Sequence, residues 1–365
     1  MNKGYKVIHV VDFDNKNLWF EEYLDLISDL GVEQEIVILS HNQHLKDFAK
    51  SRDLVTKTGF EFLFKPFLGS LNKKGPEFVI AHGYVPSIFS AAFVPLCRVK
   101  LIIVHHHQPN FFSLLRSRSY LKGLLHGTLL RFTYKMSFKI QSFSKEVYES
   151  LVFRGVSEDK IFENPIGVNF KKLREFVEAS GNTERQDNNE KVIISVSRLS
   201  WEKDLALAIK AVALAREGGL QLRYQIYGEG PERTKLEALI LDLDANDYIT
   251  LMGFSSEIFE AIESSDLFLH TSKTESFGQV IFEAYFIGVP VLSSRVGVAI
   301  DLFDKDNDRI HLIGVHHPRI VADQIREILH KQVLKKRTLE DASLLQLHSI
   351  EKSTSKLVSF LRTSL

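Results

Sequence analysis

The sequence predicts an α/β protein made of two doubly wound, Rossmann-like parallel-sheet domains. Three observations carry that expectation. Short apolar runs alternate with longer amphipathic segments, a wholly polar stretch interrupts this alternation near mid-chain, and a second series begins directly after it.

In the first series, 7–11, 35–39, 78–80, 101–104 and 139–142 read as strands, since short continuous apolar runs are the pattern of parallel strands buried on both faces. Segments 18–30 and 145–153 read as helices. The polar stretch 178–191 has almost no side chain to bury and is expected to link the domains. In the second series 192–197, 222–227, 249–252, 267–270 and 289–293 read as strands. Helices are expected at 204–216, 232–243, 257–264 and 279–287. The expected domains are therefore 1–177 and 192–348, with a further helix-like stretch at 349–365. Ligands of such sheets sit beyond the carboxyl ends of the strands, so the residues after each strand are the candidates for function.

Composition narrows the partners. Of 365 residues 46 are Lys or Arg and 46 are Asp or Glu, so the chain lacks the global positive field of non-specific nucleic-acid binders, and no nucleic-acid partner is expected. A single cysteine, Cys97, forms no internal disulfide and no thiolate zinc cluster, which suits a reducing, cytoplasmic setting. No stretch reads as a signal peptide or a membrane span. Charge is uneven, however: residues 78–145 hold no Asp or Glu but nine basic residues, Arg98, Lys100, Arg116, Arg118, Lys122, Arg131, Lys135, Lys139 and Lys145. Aromatic and basic residues interleave from Phe111 onward, so 111–139 suits either a solvated helix face or contact with an anionic membrane.

Three loops carry chemistry. Ser197-Arg198-Leu-Ser-Trp-Glu-Lys203 places two cations at a strand end, where a guanidinium fork and a mobile ammonium suit a diphosphate. Tyr227-Gly228-Glu-Gly230-Pro231 offers glycines through which backbone can approach a ligand. Arg233 stands where a dinucleotide fingerprint needs glycine and no Gly-x-x-x-x-Gly-Lys loop occurs, so dehydrogenase and P-loop kinase readings lose support. The third, Asp266 to Ala284, reads as strand, polar loop and helix. Ser276 and Gln279 form a capping-box pattern that would open the helix at Phe277 and Gly278, with Glu275 before it and Glu283 within it. Carboxylates there can accept hydrogen bonds from sugar hydroxyls.

Glu275 and Glu283 separated by seven residues, with Phe277-Gly278 between them and Gly288-x-Pro290 beyond, resemble the signature of the retaining glycosyltransferases of family 4. Arg198, Lys203, Gly228-Glu-Gly230-Pro231, Gly253-Phe254 and Asp266 follow in that family's order. Residues 163–169 are similar to its Pro-Asn-Gly-Val-Asp motif. The resemblance implies a GT-B fold of two facing domains, the second holding a nucleotide-sugar donor and the first a glycan or lipid-linked acceptor. By it, Arg198 and Lys203 bind the donor diphosphate, Glu275 the donor sugar and Glu283 the ribose. Ser276, Phe277 and Gly278 line the sugar and phosphate, and Gly230, Gly253 and Phe254 the rest of the donor, Gly253 and Phe254 beside the base. No metal or other cofactor is expected.

His105 and His106 are expected at the chemistry, and His82, His107 and Asn17 toward the acceptor, one of the histidines facing the sugar. The loop Asp12–Trp19 departs from the glycine-rich loop common in the family, and 294–301 lacks its Gly-Gly and following Glu. The C-terminal stretch would cross back onto the first domain. The implied activity is retaining transfer of a sugar from a nucleoside diphosphate, in cell-surface polysaccharide or glycolipid synthesis at the cytoplasmic side of a membrane. A GT-B epimerase or phosphorylase, or a weakly catalytic sugar-nucleotide-binding protein within a glycan-assembly complex, is the alternative.

Overall fold

The computed structural model describes residues 5–12, 18–40, 42–52, 54–58, 77–94, 99–104, 120–165, 167–168, 170–179, 190–304, 308–331 and 348–365. They fall into two compact units, Met1–Val168 with Gln346–Leu365, and Asn169–Leu345.

The first unit runs β1 (Lys6–Val11), α1 (Leu18–Asp29), β2 (Glu33–Ile38), α2 (Gln43–Ser51), β3 (Val55–Thr58), β4 (Phe78–His82), α3 (Tyr84–Phe93), β5 (Lys100–Val104), α4 (Tyr120–Met136), β6 (Lys139–Ser142), α5 (Lys145–Phe153) and β7 (Ile161–Glu163). Its seven strands are parallel and ordered β3-β2-β1-β4-β5-β6-β7. Helices cover both faces: Val7, Phe20, Leu24, Ile36 and Phe78 pack on one side, and Ile8, Val37, Val79, Ile103 and Leu151 on the other. Alternate residues of each strand thus enter different cores, which is why the runs are apolar throughout rather than alternating.

The second unit begins with α6 (Phe170–Ala179) and continues β8 (Lys191–Val196), α7 (Leu205–Glu217), β9 (Leu222–Tyr227), α8 (Arg233–Asp242), β10 (Ile249–Gly253), α9 (Ile258–Ser264), β11 (Leu267–His270), α10 (Gln279–Ile287), β12 (Val291–Ser294), α11 (Val298–Phe303), β13 (Ile310–Ile313) and α12 (Pro318–His330). Its sheet is parallel, in the order β10-β9-β8-β11-β12-β13. The division between units lies at Val168/Asn169 rather than at 177/178. The reason is α6, which packs on α10 and sets the Phe176 ring 5.5 Å from Phe259. Most of the expected linker, 180–189, lies outside the described residues.

The last helix, α13 (Ile350–Thr363), returns to the first unit and packs on α1. Ile350, Leu357, Val358 and Leu361 are buried in that unit's core, and the Phe360 ring stacks on Phe162 at 4.4 Å. Segment 163–168 receives it: Asn164 donates Nδ2 to the Ser353 carbonyl, and Val168 bonds the backbone on both sides of Ser349. Gly167 lies so close that a Cβ there would sit 2.1 Å from the Ile350 Cα.

Each sheet has one point where consecutive strands leave in opposite directions, between β1 and β4 in the first and between β8 and β11 in the second. The loops on either side of such a point part there and leave a crevice, the usual place for a ligand in open α/β sheets.

Candidate functional site

At the second switch point, the loop after β8 and the loop after β11 are tied together. The chain leaves β8, makes a short 3-10 turn at Trp201–Lys203 and enters α7 through Asp204, whose φ of 47° is left-handed. Thr271 secures that conformation by donating Oγ1 to the carbonyls of Lys203 and Asp204, at 3.0 and 3.1 Å. The Lys273 ammonium lies 3.2 Å from the Asp204 carboxylate, and its backbone N–H donates to the Glu202 carbonyl.

Glu275 is the centre of this arrangement. Its Oε1 accepts from Lys203 Nζ at 2.5 Å and from Ser272 Oγ at 3.0 Å, and lies 3.0 Å from His270 Nε2. Among the described residues Oε2 accepts nothing, so one oxygen is anchored and the other is open. Burial pushes this carboxyl up, but the hydrogen bond and charge of His270, followed by those of Lys203, outweigh it and hold it down at about 2. The group is therefore an ionised acceptor at any physiological pH. Arg198, on the same loop after β8 as Lys203, is exposed and has no ion-pair partner among the described residues.

Glu283 lies inside α10, where burial raises its carboxyl to about 7 against the lowering effect of a hydrogen bond from Gln279. Helix α10 does not start as the capping-box pattern predicts. Its N-cap is Gly278, at φ 85°, and no side chain caps it, so Ser276 stands outside the helix. The Phe277 ring is buried against Phe282 and the Phe277 carbonyl accepts from Val298 N–H at 2.6 Å, which holds this residue in the loop. Gly297 is needed at that contact, since its Cβ would lie 2.2 Å from the Phe277 carbonyl oxygen. Segment 294–301, without a second glycine, therefore still packs its backbone on the Glu275–Phe277 loop.

The glycines after β9 serve the protein rather than an approaching ligand. A Cβ at Gly228 would meet the Ser197 carbonyl oxygen at 1.9 Å and one at Gly230 the Leu199 carbonyl oxygen at 2.3 Å. Leu199 N–H in turn donates to the Glu229 carbonyl, so the β9 loop buttresses the Arg198 loop. Gly253 ends β10 with φ 77° and accepts from Gly228 N–H, and Phe254 after it is 85% exposed. Asp266 sits at the opposite end of the sheet, where its carboxylate accepts from Val192 N–H at 2.7 Å. It fastens β8 to β11 and belongs to no ligand crevice.

The first unit carries a second cluster astride its own switch point. His9 of β1 and His82 of β4 approach to 3.1 Å through Nδ1 and Nε2. Phe20 and Tyr23 of α1 pack edge-on against both rings, and Trp19 stacks on Tyr23 while donating Nε1 to the Gly167 carbonyl. Burial lowers the His9 imidazole to about 3, so it is neutral at pH 7. His82 is only 2% exposed; its ring meets His9 and the aromatic shell. Asn17 and the run His105, His106 and His107 lie outside the described residues. Among the described residues no group of three His, Cys, Asp or Glu side chains is placed to hold a metal ion.

Of the residues the sequence singles out, the structure brings Lys203 and Glu275 together; sequence reading did not single out His270, Ser272 and Thr271 around them, or His9 in the first unit. The signals were present: a histidine ending the apolar run Leu267–His270, two hydroxyl residues directly after it, and a lone histidine inside the apolar strand Lys6–Val11.

Comparison with known proteins bears on the second half of the chain. Residues 178–343, less than half of the chain, match the family model described as glycosyl transferases group 1. The matched region includes Arg198, Lys203, Glu275 and Glu283. The chain is similar, at 35% identity over 142 residues, to the GtfA subunit of a UDP-N-acetylglucosamine–peptide N-acetylglucosaminyltransferase of Streptococcus parasanguinis, covering 37% of this chain and 28% of that protein. At 36% identity over 122 residues it is similar to the putative colanic acid biosynthesis glycosyltransferase WcaL of Escherichia coli, covering 31% and 30% of the two. Each match thus spans less than a third of the relative's length. The structure of Anabaena Alr3699/HepE in complex with UDP-glucose superimposes with a TM-score of 0.75 over 99% of this chain and all of that one, at 16% identity. At that identity the likeness shows the fold, a GT-B pair of Rossmann-like domains.

Proposed function

We propose that this protein is a glycosyltransferase that uses a nucleoside diphosphate sugar, with uridine as the base, and transfers the sugar with retention to a glycan or lipid-linked acceptor in cell-surface polysaccharide or glycolipid synthesis. The observation that carries the reading is the meeting of Lys203 and Glu275 at the β8/β11 switch point, with Arg198 exposed on the same loop as Lys203. The names of the relatives, and the UDP-glucose held by the Anabaena structure, support uridine.

The chemistry follows from the groups. Breaking the bond between the anomeric carbon and the diphosphate leaves the electron pair on the departing oxygen and adds one negative charge to the two the diphosphate already carries, and Arg198 and Lys203 would offset it as it develops. Glu275 Oε2, already ionised and open, accepts a hydroxyl hydrogen bond of the donor sugar. Glu283, in the role the family resemblance implies, would take the ribose hydroxyls, which would favour its charged form. The leaving diphosphate takes the acceptor proton, so transfer needs no separate general base and no metal. The acceptor would meet the first unit, and the protein would act at the cytoplasmic face of a membrane.

A thermal-shift panel of UDP, GDP, ADP and CMP with their common sugar conjugates, on wild type and Arg198→Ala, tests this. A ligand that binds only the native state raises the melting temperature. A rise with the uridine compounds that is lost in Arg198→Ala is expected; no rise with any nucleotide at millimolar concentration would count against the donor site.

A further inference from the structure

Three donors converge on a single oxygen of Glu275, and they differ in their freedom to move. Lys203 is a flexible chain on a loop, with its side chain 18% exposed. His270 is the last residue of β11, is 4% exposed and stacks on Phe268 with ring planes 13° apart. Ser272, also buried, is the third. Lys203 cannot hold Glu275 and neutralise a diphosphate at full strength in both places, because its one positive charge follows the stronger anion. When a diphosphate draws Lys203 off, Glu275 loses one of its donors and a positive charge while remaining largely buried, and a buried carboxylate that loses its partners turns or takes up a proton.

We infer that His270 is a positioning residue of the donor site: it holds Glu275 Oε1 from the strand side, so that Lys203 is free to leave for the diphosphate while Oε2 keeps its aim. This rests on the donor-site reading given above. The other charged groups around Glu275 are otherwise engaged or remote from its oxygens. From the β8 loop, Glu202 accepts from Ser200 and Asp204 is paired with Lys273. From the β12–α11 loop, Gly297 touches the stem of Glu275 and Arg295, its only charged residue, is exposed. From α10, Glu283 interacts with Gln279. His270 is thus the group on the fixed strand that can answer the buried charge once Lys203 has moved.

The test compares wild type with His270→Leu, which keeps the volume but has no donor, and His270→Gln, which restores a neutral N–H donor. Two measurements are made: calorimetric binding of UDP and of UDP-N-acetylglucosamine and UDP-glucose, and the melting temperature of the ligand-free protein from pH 6 to pH 2.5. His270→Leu should bind UDP within about twofold of wild type but lose about tenfold or more of the extra affinity or turnover the sugar confers, the size of one hydrogen bond to a charged group. Its fall in melting temperature below about pH 4.5 should be shallower than that of wild type, because a carboxyl held less far below its unfolded value contributes less proton-linked stability. His270→Gln should recover most of the sugar-dependent term and only part of the acid-side fall, since it restores a neutral donor and not a cationic one. Equal sugar dependence and equal acid profiles in wild type and His270→Leu would overturn the inference. So would parallel loss of UDP and sugar-nucleotide binding, the mark of a merely structural residue. Failure of wild type to bind any of these nucleotides would instead overturn the donor reading, and the acid profiles would still decide whether His270 holds Glu275. Where His270→Leu does not fold, His270→Gln carries both comparisons.

Discussion

Two carboxylates of the second unit are displaced in opposite directions, and each direction is a statement about stability. Glu275 is held at about 2 in the folded protein, below its unfolded value near 4.5. Its contribution is therefore complete above about pH 4.5 and is lost as the pH falls toward 2. Glu283 is raised to about 7, so the folded state binds its proton more tightly than the unfolded chain does. That contribution is complete below about pH 4.5 and is lost as the pH rises through 7. A displacement of this size is on the order of 3 kcal/mol for each group. Glu283→Gln should accordingly flatten the decline in melting temperature between pH 5 and 8, and an unchanged slope would show that Glu283 is not protonated in the fold. Glu275→Gln should remove the corresponding acid-side loss below pH 4.5, and under the proposed function it should abolish sugar transfer while leaving the far-UV circular dichroism at pH 7 intact.

Among the elements, the closest fit is between segment 163–168 and the start of α13. Gly167 is held there by contact, since its Cβ would enter the Ile350 backbone and its carbonyl accepts from Trp19 of α1. Backbone cannot move aside as a flexible side chain can, so overpacking here falls at or above the usual 1–3 kcal/mol range. Gly167→Ala should lower the stability of the first unit by about 3 kcal/mol and expose the C-terminal helix to proteolysis before the rest of the chain. A melting temperature within a degree of wild type would show that the return of α13 tolerates displacement. The segment that is similar to the family's Pro-Asn-Gly-Val-Asp motif thus has a direct task in the fold, the seating of α13.

For the whole molecule, the uneven charge of the first unit bears on where the protein works. Helix α4 buries Leu130 and Tyr134 and leaves Thr128, Arg131, Phe132 and Lys135 exposed, a spacing that puts basic and aromatic groups on one outward face. No described helix is long and apolar enough to cross a membrane. Binding to vesicles of anionic lipid should occur at low salt and weaken as ionic strength rises toward 0.5 M, about where the screening length falls to half its physiological value. Arg131→Glu with Lys135→Glu should reduce it at every salt concentration. Absent or salt-independent binding would remove membrane contact from the reading and leave a soluble acceptor.

The sequence by itself determined the two-domain α/β plan, most strands of both sheets and the two charged residues, Lys203 and Glu275, that meet at the β8/β11 switch point. These are local properties: an apolar run flanked by amphipathic segments shows its burial in the run itself, and cations or carboxylates after a strand are placed by the strand's end. The capping box at Ser276 and Gln279 is the instructive failure. Its letters were in order, yet burial of the Phe277 ring and the contact of its carbonyl with Val298 gave the cap to Gly278. Only the tertiary structure decided which glycines face protein backbone and which donors share Oε1 of Glu275. It also decided that α6 belongs to the second unit and that His9 lies against His82. Each of these joins segments from different strands, His9 and His82 seventy-three residues apart and Lys203 and Glu275 seventy-two. Such pairings are set by the order of strands in a sheet, which no single segment encodes.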